Sequence, residues 1–262
     1  MVGLVGLVVV GAWLPRRFLS LPVWGLADGR RRERVWAWPD VVGMGVSFRY
    51  ALCRLFETDD VYLHSQTHTI LSDMRFLILS DLHGSLPVLK RVLDFYDKGS
   101  YDMLLLPGDL LNYGPRNGLP PGLDAPEVAR LLSDRRADIV AVRGNCDSEV
   151  DQMLLTFPIM ADYAIVCDGR HRIFLTHGHV YNEDRMPQAP AIDLFVYGHT
   201  HLMSLCPATA DRPAVCNTGS PTFPKGGNPP TFATLEDGLL TLRRLDGTPL
   251  RRLRVFGGDD ET

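Results

Sequence analysis

Residues 74–84 have the sequence MRFLILSDLHG, in which an apolar run leads directly into a turn that carries Asp81 and His83. The apolar part, residues 75–80, predicts a buried first strand. On an extended strand end, two side chains separated by one residue point to the same side. Asp81 and His83 can therefore offer a carboxylate and an imidazole to one divalent metal ion, as expected at a strand end of an α/β domain.

Four further polar islands follow along the chain, and nearly every one comes directly after an apolar, strand-like run. They are Gly108-Asp109, Gly144-Asn145-Cys146-Asp147, Thr176-His177-Gly178-His179 and Gly198-His199-Thr200-His201. Most of these islands are weak signals alone, because a single His or Asn at a strand end is usually only hydrogen-bonded or part of a turn, whereas the pair His199 and His201 is a stronger metal signal. Together they indicate a dinuclear metal centre for phosphate ester hydrolysis, in which the two carboxylate oxygens of Asp109 allow it to bridge two ions.

The region from Met74 onwards predicts an α/β fold. Strands at 75–80, 102–107 and 138–143 alternate with helices at 86–96 and 126–137, and this order is typical of parallel strands joined by crossover helices. The second half is richer in strands, predicted at 163–167, 172–176, 194–197, 213–216, 231–235, 239–245 and 250–256. Two sheets packed face to face, each with helices outside, accommodate both halves.

Residues 1–73 have a different texture from the rest of the chain. Their apolar run at 1–14 is too short to span a bilayer, since a spanning helix needs about 20 apolar residues. Residues 15–73 show no sustained period of about 3.6 or 2 residues. We predict that 1–73 is an N-terminal extension, disordered or the result of a mis-assigned start, and that 74–262 is the functional domain with Met74 as its natural start. A membrane-proximal anchor made from residues 1–14 is the alternative.

Net charge and cysteine content argue against several classes of protein. The net charge of −4 implies no general affinity for nucleic acid or for an anionic membrane, and no stable membrane insertion is expected. Five cysteines without a CxxC pair argue against a disulfide framework and predict a reducing, cytoplasmic location. A homo-oligomer is compatible with these numbers.

The ordered series Asp-x-His, Gly-Asp, Gly-Asn-x-Asp, Gly-His and Gly-His-x-His resembles the calcineurin-like metallophosphoesterase superfamily. The stretches 80–85, 144–148 and 224–228 are similar to small bacterial phosphodiesterases of the YfcE type, and the resemblance covers about residues 74–255. It implies a four-layer α/β/β/α sandwich with two divalent ions at the strand ends, Mn²⁺ first, with Fe, Zn²⁺ and Ni²⁺ as alternatives. It also implies two ligand sets that share Asp109: Asp81, His83, Asp109 and His201 for the first ion, and Asp109, Asn145, His177 and His199 for the second.

The implied activity is that of a phosphoric diester hydrolase, in which a metal-bridging hydroxide attacks a small phosphodiester. Many members have a histidine at the position of Cys146, where it helps the leaving group depart. A thiol is a weak proton donor, so Cys146 predicts a preference for good leaving groups such as aryloxides. Asn112 and Arg116, in the loop after Asp109, are candidate substrate contacts, Arg116 through its fork of donors.

Two alternatives stay open. The first is another enzyme of the same superfamily, acting on a phosphoprotein, a dinucleoside polyphosphate or a cyclic nucleotide. The second is a protein-binding scaffold similar to the retromer subunit Vps29. Scaffold relatives have lost site histidines, whereas every ligand position is filled here.

Overall fold

The computed structural model describes residues 7–10, 23–27, 31–42, 45–51, 74–187 and 191–256. Before Met74 it describes four strands only. The prediction that residues 1–73 are a disordered or mis-assigned extension falls largely outside the described residues, and it stays a prediction.

The described residues form fifteen strands and three α-helices. In chain order they are β1 (Leu7–Val10), β2 (Val23–Ala27), β3 (Arg31–Val42), β4 (Gly45–Ala51), β5 (Phe76–Ile78), α1 (Leu86–Gly99), β6 (Met103–Leu106), α2 (Ala125–Ser133), β7 (Ile139–Ala141), α3 (Glu149–Leu154), β8 (Tyr163–Asp168), β9 (His171–Thr176), β10 (Leu194–Tyr197), β11 (Ser204–Cys206), β12 (Ala214–Asn217), β13 (Thr231–Glu236), β14 (Leu239–Arg244) and β15 (Pro249–Arg254).

The chain divides into two compact units. The smaller spans residues 12–69 and contains β2, β3 and β4 as an antiparallel sheet. The larger comprises residues 1–11 and 70–262, and β1 pairs there in parallel with β8.

Two six-stranded mixed sheets build the larger unit. Their strand orders are β1-β8-β9-β10-β12-β11 and β15-β14-β13-β5-β6-β7. Strands β5, β6 and β7 are parallel, as the early alternation of strands and helices predicts. Strands β13, β14 and β15 pair antiparallel and extend the same sheet from β5. The predicted α/β sandwich of two mixed sheets is confirmed.

Strand β5 is covered on both faces, which explains its continuous apolar sequence. Phe76 and Ile78 point into the core between the two sheets. Leu77 and Leu79 point the other way, into a second core against α1 and α2. All four side chains have no exposed surface. The strand is therefore fixed on both sides before it enters the turn with Asp81.

Helix α2 begins at a local capping signal. Asp124 caps α2 by accepting a hydrogen bond from the backbone N–H of Glu127, with Pro126 in the first turn. The prediction that this helix continues to 137 is wrong, because the chain tightens into a 3₁₀ turn at Arg136–Asp138. Helix α3 escapes sequence analysis because its six residues are too few to show a helical period.

Aromatic side chains form the outer surface of the β8-β9-β10 sheet. Tyr163 and Phe195 each stack on Phe174, and Tyr181 packs edge-on against Phe174. Within residues 74–187 and 191–256, loop side chains rather than a helix cover this face. In the same described part of the chain, no helix has the length and apolar composition needed to cross a bilayer.

Leu105→Ala tests the packing of the two sheets. Leu105 is fully buried in the core between them. We expect its truncation to lower the free energy of unfolding by about 2–5 kcal/mol, measured by denaturant titration. Leu119→Ala is the control, since Leu119 is 71% exposed and should change stability by less than about 0.5 kcal/mol. Equal effects of the two substitutions would contradict this core.

Candidate metal centre

The candidate ligands sit where strands end. Strand β5 leads to the turn with Asp81, β6 to Asp109, β7 to Asn145, β9 to His177 and β10 to His199. Parallel strands in each sheet bring these ends to one edge, and the two sheets bring the edges together.

Most of the candidate ligands have a left-handed backbone conformation and not the extended conformation that the sequence suggested. Five of the seven candidate ligands have φ between 53° and 64°: Asp81, His83, Asp109, His199 and His201. The prediction that Asp81 and His83 share a side because the strand continues is therefore wrong in its geometry. Both residues lie in a tight turn, and the turn itself aims their side chains together. Residues other than glycine rarely adopt this conformation, which is strained and collects at functional sites.

The first cluster contains Asp81, His83 and His201. Oδ1 of Asp81 lies 3.2 Å from Nε2 of His201 and 3.8 Å from Nε2 of His83. The two Nε2 atoms are 3.3 Å apart. Nδ1 of His83 donates to the carbonyl of Asn112 at 2.8 Å, and Nδ1 of His201 donates to the carbonyl of Phe223 at 2.7 Å. Because a carbonyl oxygen only accepts, Nδ1 of each ring carries a hydrogen, and Nε2 is the nitrogen that faces the cluster as a potential metal ligand.

The second cluster contains Asp109, Asn145, His177 and His199. Nδ1 of His177 donates to the carbonyl of Pro107 at 2.7 Å, which leaves Nε2 facing Oδ2 of Asp109 at 3.4 Å. Oδ1 of Asn145 lies 3.1 Å from Nε2 of His177 and 2.6 Å from Nδ1 of His199. The structure thus brings all seven candidate ligands into two adjoining clusters.

Asp109 belongs to both clusters through one oxygen. Its Oδ2 lies 3.7 Å from Nε2 of His83 and 3.4 Å from Nε2 of His177. Its Oδ1 accepts a hydrogen bond from the backbone N–H of Cys146 at 2.8 Å. The sequence suggested that each oxygen of Asp109 faces one ion. In the structure, Oδ1 instead holds the side chain in place, and Oδ2 faces both clusters.

The two carboxylate oxygens of Asp81 also have different surroundings. Its Oδ2 accepts hydrogen bonds from the hydroxyl of Ser80 at 2.7 Å and from the backbone N–H of His199 at 2.9 Å. Its Oδ1 is buried and has no hydrogen-bond partner within the described part of the chain. A buried carboxylate oxygen without a partner is strongly unfavourable unless a cation binds it. Together with the converging imidazole lone pairs, it makes the donor set fit divalent metal ions.

The acid–base balance of the cluster supports the same conclusion. Burial alone would lower the pKa of His177, but the Asp109 carboxylate outweighs it and raises the pKa to about 9. Burial would raise the pKa of Asp109, and His177 instead holds it well below its usual range. A proton on His177 thus supplies part of the positive charge that the two buried carboxylates require.

Asp147 holds the turns of the centre together, a role that the sequence did not suggest although the residue is part of a motif. Its carboxylate accepts hydrogen bonds from the backbone N–H groups of Asp109, Leu110 and Gly144 at 2.8–2.9 Å. Burial, followed by the Asp109 charge, raises the pKa of Asp147 to about 6. Gly144 has to be glycine, because a Cβ there would collide with the Asp109 side chain.

The remaining candidates lie around the clusters. Cys146 has its Sγ within 4.8 Å of the ligand atoms of His83 and Asp109, and burial and the Asp109 charge raise the pKa of this thiol to about 12. Asn112 contributes its backbone carbonyl to His83, while its side chain accepts from the N–H of Gly114. Arg116 is exposed in the same loop. Substrate contacts by Asn112 and Arg116 stay predictions.

Residues 74–237 match the sequence profile of the calcineurin-like phosphoesterase superfamily domain. The chain belongs to this superfamily. It is 43% identical over 175 residues to Phosphodiesterase YfcE of Escherichia coli strain K12, a match that covers 66% of this chain and 93% of the relative. The solved structure of the Escherichia coli phosphoesterase YfcE superposes with a TM-score of 0.67 and 40% identity, over 70% of this chain and 100% of that one. The resemblance drawn from the five islands is confirmed, and the clusters lie inside the phosphoesterase domain.

Metal binding should compete with the proton on His177. Since the pKa of His177 is raised to about 9, the metal-free protein holds this proton at neutral pH and must release it when an ion binds. We expect the Mn²⁺ affinity to increase with pH between about 6.5 and 8.5, with release of about one proton from this ring. Calorimetry in buffers of different ionisation enthalpy measures the release.

His177→Gln is the matched variant for this measurement, because it removes the proton and keeps a polar side chain. Its proton release should be lower by about one than that of the wild type. Equal release in both proteins would show that the proton comes from elsewhere.

Proposed function

We propose that this protein is a metal-dependent phosphodiesterase that hydrolyses small phosphodiesters at a dinuclear centre. The observation that carries the proposal is the single oxygen of Asp109 that faces His83 on one side and His177 on the other. When two divalent ions are bound, they acidify a water molecule and offset negative charge on the phosphoryl oxygens. The relative with 43% identity bears the name phosphodiesterase, which favours diesters among the superfamily's substrates.

The side chains of this protein would supply the ligands of both metal ions. Asp81, His83, Asp109 and His201 would hold one ion, and Asp109, Asn145, His177 and His199 the other. The backbone carbonyls behind His83, His177 and His201 keep their rings in one orientation and keep Nε2 available.

In the metal-free protein Cys146 is a poor nucleophile. A thiolate is the nucleophilic form of cysteine, and the pKa of this thiol is raised to about 12 by burial and by the Asp109 carboxylate. Without bound ions the side chain is a neutral thiol at neutral pH, next to the carboxylate of Asp109. A water molecule is the nucleophile consistent with this environment.

Mn²⁺ is the metal that we propose first. Four imidazoles mixed with carboxylate and amide oxygens also suit Fe, Zn²⁺ and Ni²⁺. The cytoplasmic location, the small substrate and a homo-oligomeric state remain predictions from composition and resemblance.

A protein-binding scaffold is the weaker alternative. The seven ligand-type side chains converge, and their buried charges and lone pairs make the arrangement costly unless it binds ions. A scaffold has no physical need for such an arrangement. The stronger alternative is an enzyme of the same superfamily with another substrate. A panel of phosphate esters distinguishes that alternative from a phosphodiesterase.

Asp109→Asn tests the dinuclear centre across a panel of phosphate esters. The panel contains bis(p-nitrophenyl) phosphate, p-nitrophenyl phosphate, a cyclic nucleotide and a dinucleoside polyphosphate, each assayed with added Mn²⁺. We expect the wild type to favour the diester and the variant to lose activity by at least about 10³-fold on every substrate, since the shared oxygen loses its charge. Metal analysis should show fewer than two bound ions.

Asp246→Asn is the control, because Asp246 lies in an exposed turn and bonds the backbone of Thr248. Its activity should equal that of the wild type. Retained activity in Asp109→Asn would contradict the dinuclear proposal, and a wild type that binds Mn²⁺ without turnover would favour the scaffold.

Cys146→His should widen the range of leaving groups. An imidazole can protonate a departing alkoxide, which a neutral thiol of high pKa does poorly. Relative to p-nitrophenyl methyl phosphate, we expect kcat/KM for phenyl methyl phosphate to rise by about tenfold or more. Cys146→Ala is the matched control without an imidazole, and it should leave the ratio unchanged. An unchanged ratio in Cys146→His would show that this position does not act on the leaving group.

A further inference from the structure

His179 is a fifth imidazole beside the candidate metal centre, and it belongs to neither ligand set. It follows His177 after one residue, in the turn at the end of β9. Its ring contacts the ring of His177 edge-on, with the centroids 5.4 Å apart, and the centroid of the His199 ring lies 6.2 Å away. Two of the imidazoles that would hold the second ion are therefore neighbours of His179.

The backbone between the two histidines fixes His179 in this place. Gly178 has a φ of 118°, and a Cβ there would lie 2.8 Å from the ring of Tyr197 and 3.1 Å from Cβ of His199. The carbonyl of Gly178 accepts a hydrogen bond from the side-chain amide of Asn182 at 3.3 Å. The turn is thus packed directly on the end of β10, so the position of His179 beside the second cluster is part of the fold.

The two nitrogens of the His179 ring have different surroundings. Nδ1 is buried and has no hydrogen-bond partner within the described part of the chain. The ring as a whole is half-buried, so its accessible edge carries Nε2. Because an unpaired buried donor is rarer in proteins than an unpaired buried acceptor, we place the hydrogen of the neutral ring on Nε2. His179 therefore offers a hydrogen-bond donor at its accessible edge.

The second cluster is the part of the centre that a substrate can reach from solvent. Asn145 is exposed and His199 is half-buried, whereas His83 and His177 have no exposed surface. The half-buried ring of His179 lies next to His199 at this accessible side. A phosphate ester that approaches the ions would therefore meet His179 as well.

A phosphodiester group has negative charge on its nonbridging oxygens, and these oxygens accept hydrogen bonds. In the described part of the chain, the ion pairs of Asp81 and Asp109 involve histidines only, so no lysine or arginine pairs with these carboxylates. Besides the ions, an uncharged donor next to the ligands is then the group best suited to contact a phosphoryl oxygen. The Nε2 edge of His179 is such a donor.

We propose that His179 contacts the substrate, and that its Nε2–H donates a hydrogen bond to a nonbridging phosphoryl oxygen on the side of the second ion. The inference rests on the proposed function, because it takes the phosphoryl group to be bound at the two ions. The contact would hold the phosphoryl group in one orientation and stabilise the negative charge of its oxygens. A ring that only filled space beside His177 would need no donor, and this difference can be measured.

The substitutions His179→Phe, His179→Gln and His179→Asn separate the donor from the packing of the ring. Phenylalanine keeps an aromatic ring and removes the donor. The amide nitrogen of glutamine reaches the place of Nε2, while that of asparagine reaches only the place of the buried Nδ1. Calorimetry measures the binding of inorganic phosphate to each protein loaded with Mn²⁺. We expect the phosphate affinity to fall by about tenfold in the Phe and Asn variants and to stay within about threefold of wild type in the Gln variant.

Metal binding distinguishes a substrate contact from a structural role. Since His179 belongs to neither ligand set, all three variants should bind as many Mn²⁺ ions as wild type, with an affinity within about threefold. A residue that only oriented a ligand would instead lower the metal affinity by about 10–100-fold. Kinetics with bis(p-nitrophenyl) phosphate should show kcat/KM lowered by about tenfold or more in the Phe and Asn variants and largely recovered in the Gln variant.

His171→Phe is the matched control, because His171 lies at the other end of β9, stacked on Phe256. Its phosphate affinity should equal that of wild type. Thermal melting establishes that each variant is folded, and the Asn variant keeps the test valid if the Phe variant is not.

The outcomes separate this inference from the proposed function. Equal phosphate affinity in wild type and all three variants, with diester turnover, would overturn the contact and leave the phosphodiesterase intact. Weaker phosphate binding together with loss of an ion would also overturn the contact, since His179 would then support the metal ligands. Phosphate binding that is weakened in the Phe variant and recovered in the Gln variant, in a protein that turns over no diester, would support the contact and overturn the proposed activity.

Discussion

Two buried carboxylates, Asp81 and Asp109, face imidazole nitrogens that carry lone pairs, and this arrangement is the constraint on which the domain depends. Acceptors packed this closely repel each other unless a positive charge lies between them. The metal-free chain meets part of the need with a proton on His177, whose pKa is raised to about 9. Bound cations would meet the need fully, so the site is better suited to hold ions than to be empty.

The surrounding structure supplies what keeps these acceptors together. Five ligands lie in left-handed turns, a strained conformation that persists only when neighbours determine it fully. Asp147 provides one such determinant, since its carboxylate accepts three backbone N–H groups from the turns of Asp109 and Gly144. The strands behind the turns are buried on both faces, so they resist the displacement that would relieve the strain.

The sequence predicted the parts that depend on local pattern. Most strands after Met74 are predicted to within a few residues, because continuous apolar runs mark strands that are buried on both faces, whereas β1 to β4 are not predicted. Helix α3 and strand β11 were missed, since six and three residues carry too little periodic signal. The left-handed turns were missed too, because Asp81 and His83 are not glycines and leave no mark of positive φ. The carbonyl behind His177 belongs to Pro107, 70 residues away in the chain, and only the fold reveals such a contact.

The candidate ligands and the loop after Asp109 are held in different ways. The ligands occupy strand ends that both sheets hold in place, and altering them would disturb the charges that the ions balance. Among the described residues, the loop after Asp109 reaches His83 through the backbone carbonyl of Asn112 and packs on Cys146 through the backbone of Gly114. Its side chains, Tyr113 among them, are therefore free to vary while His83 keeps its orientation. Since a backbone carbonyl is present whatever the side chain, side chains of this loop can change while His83 keeps its hydrogen bond.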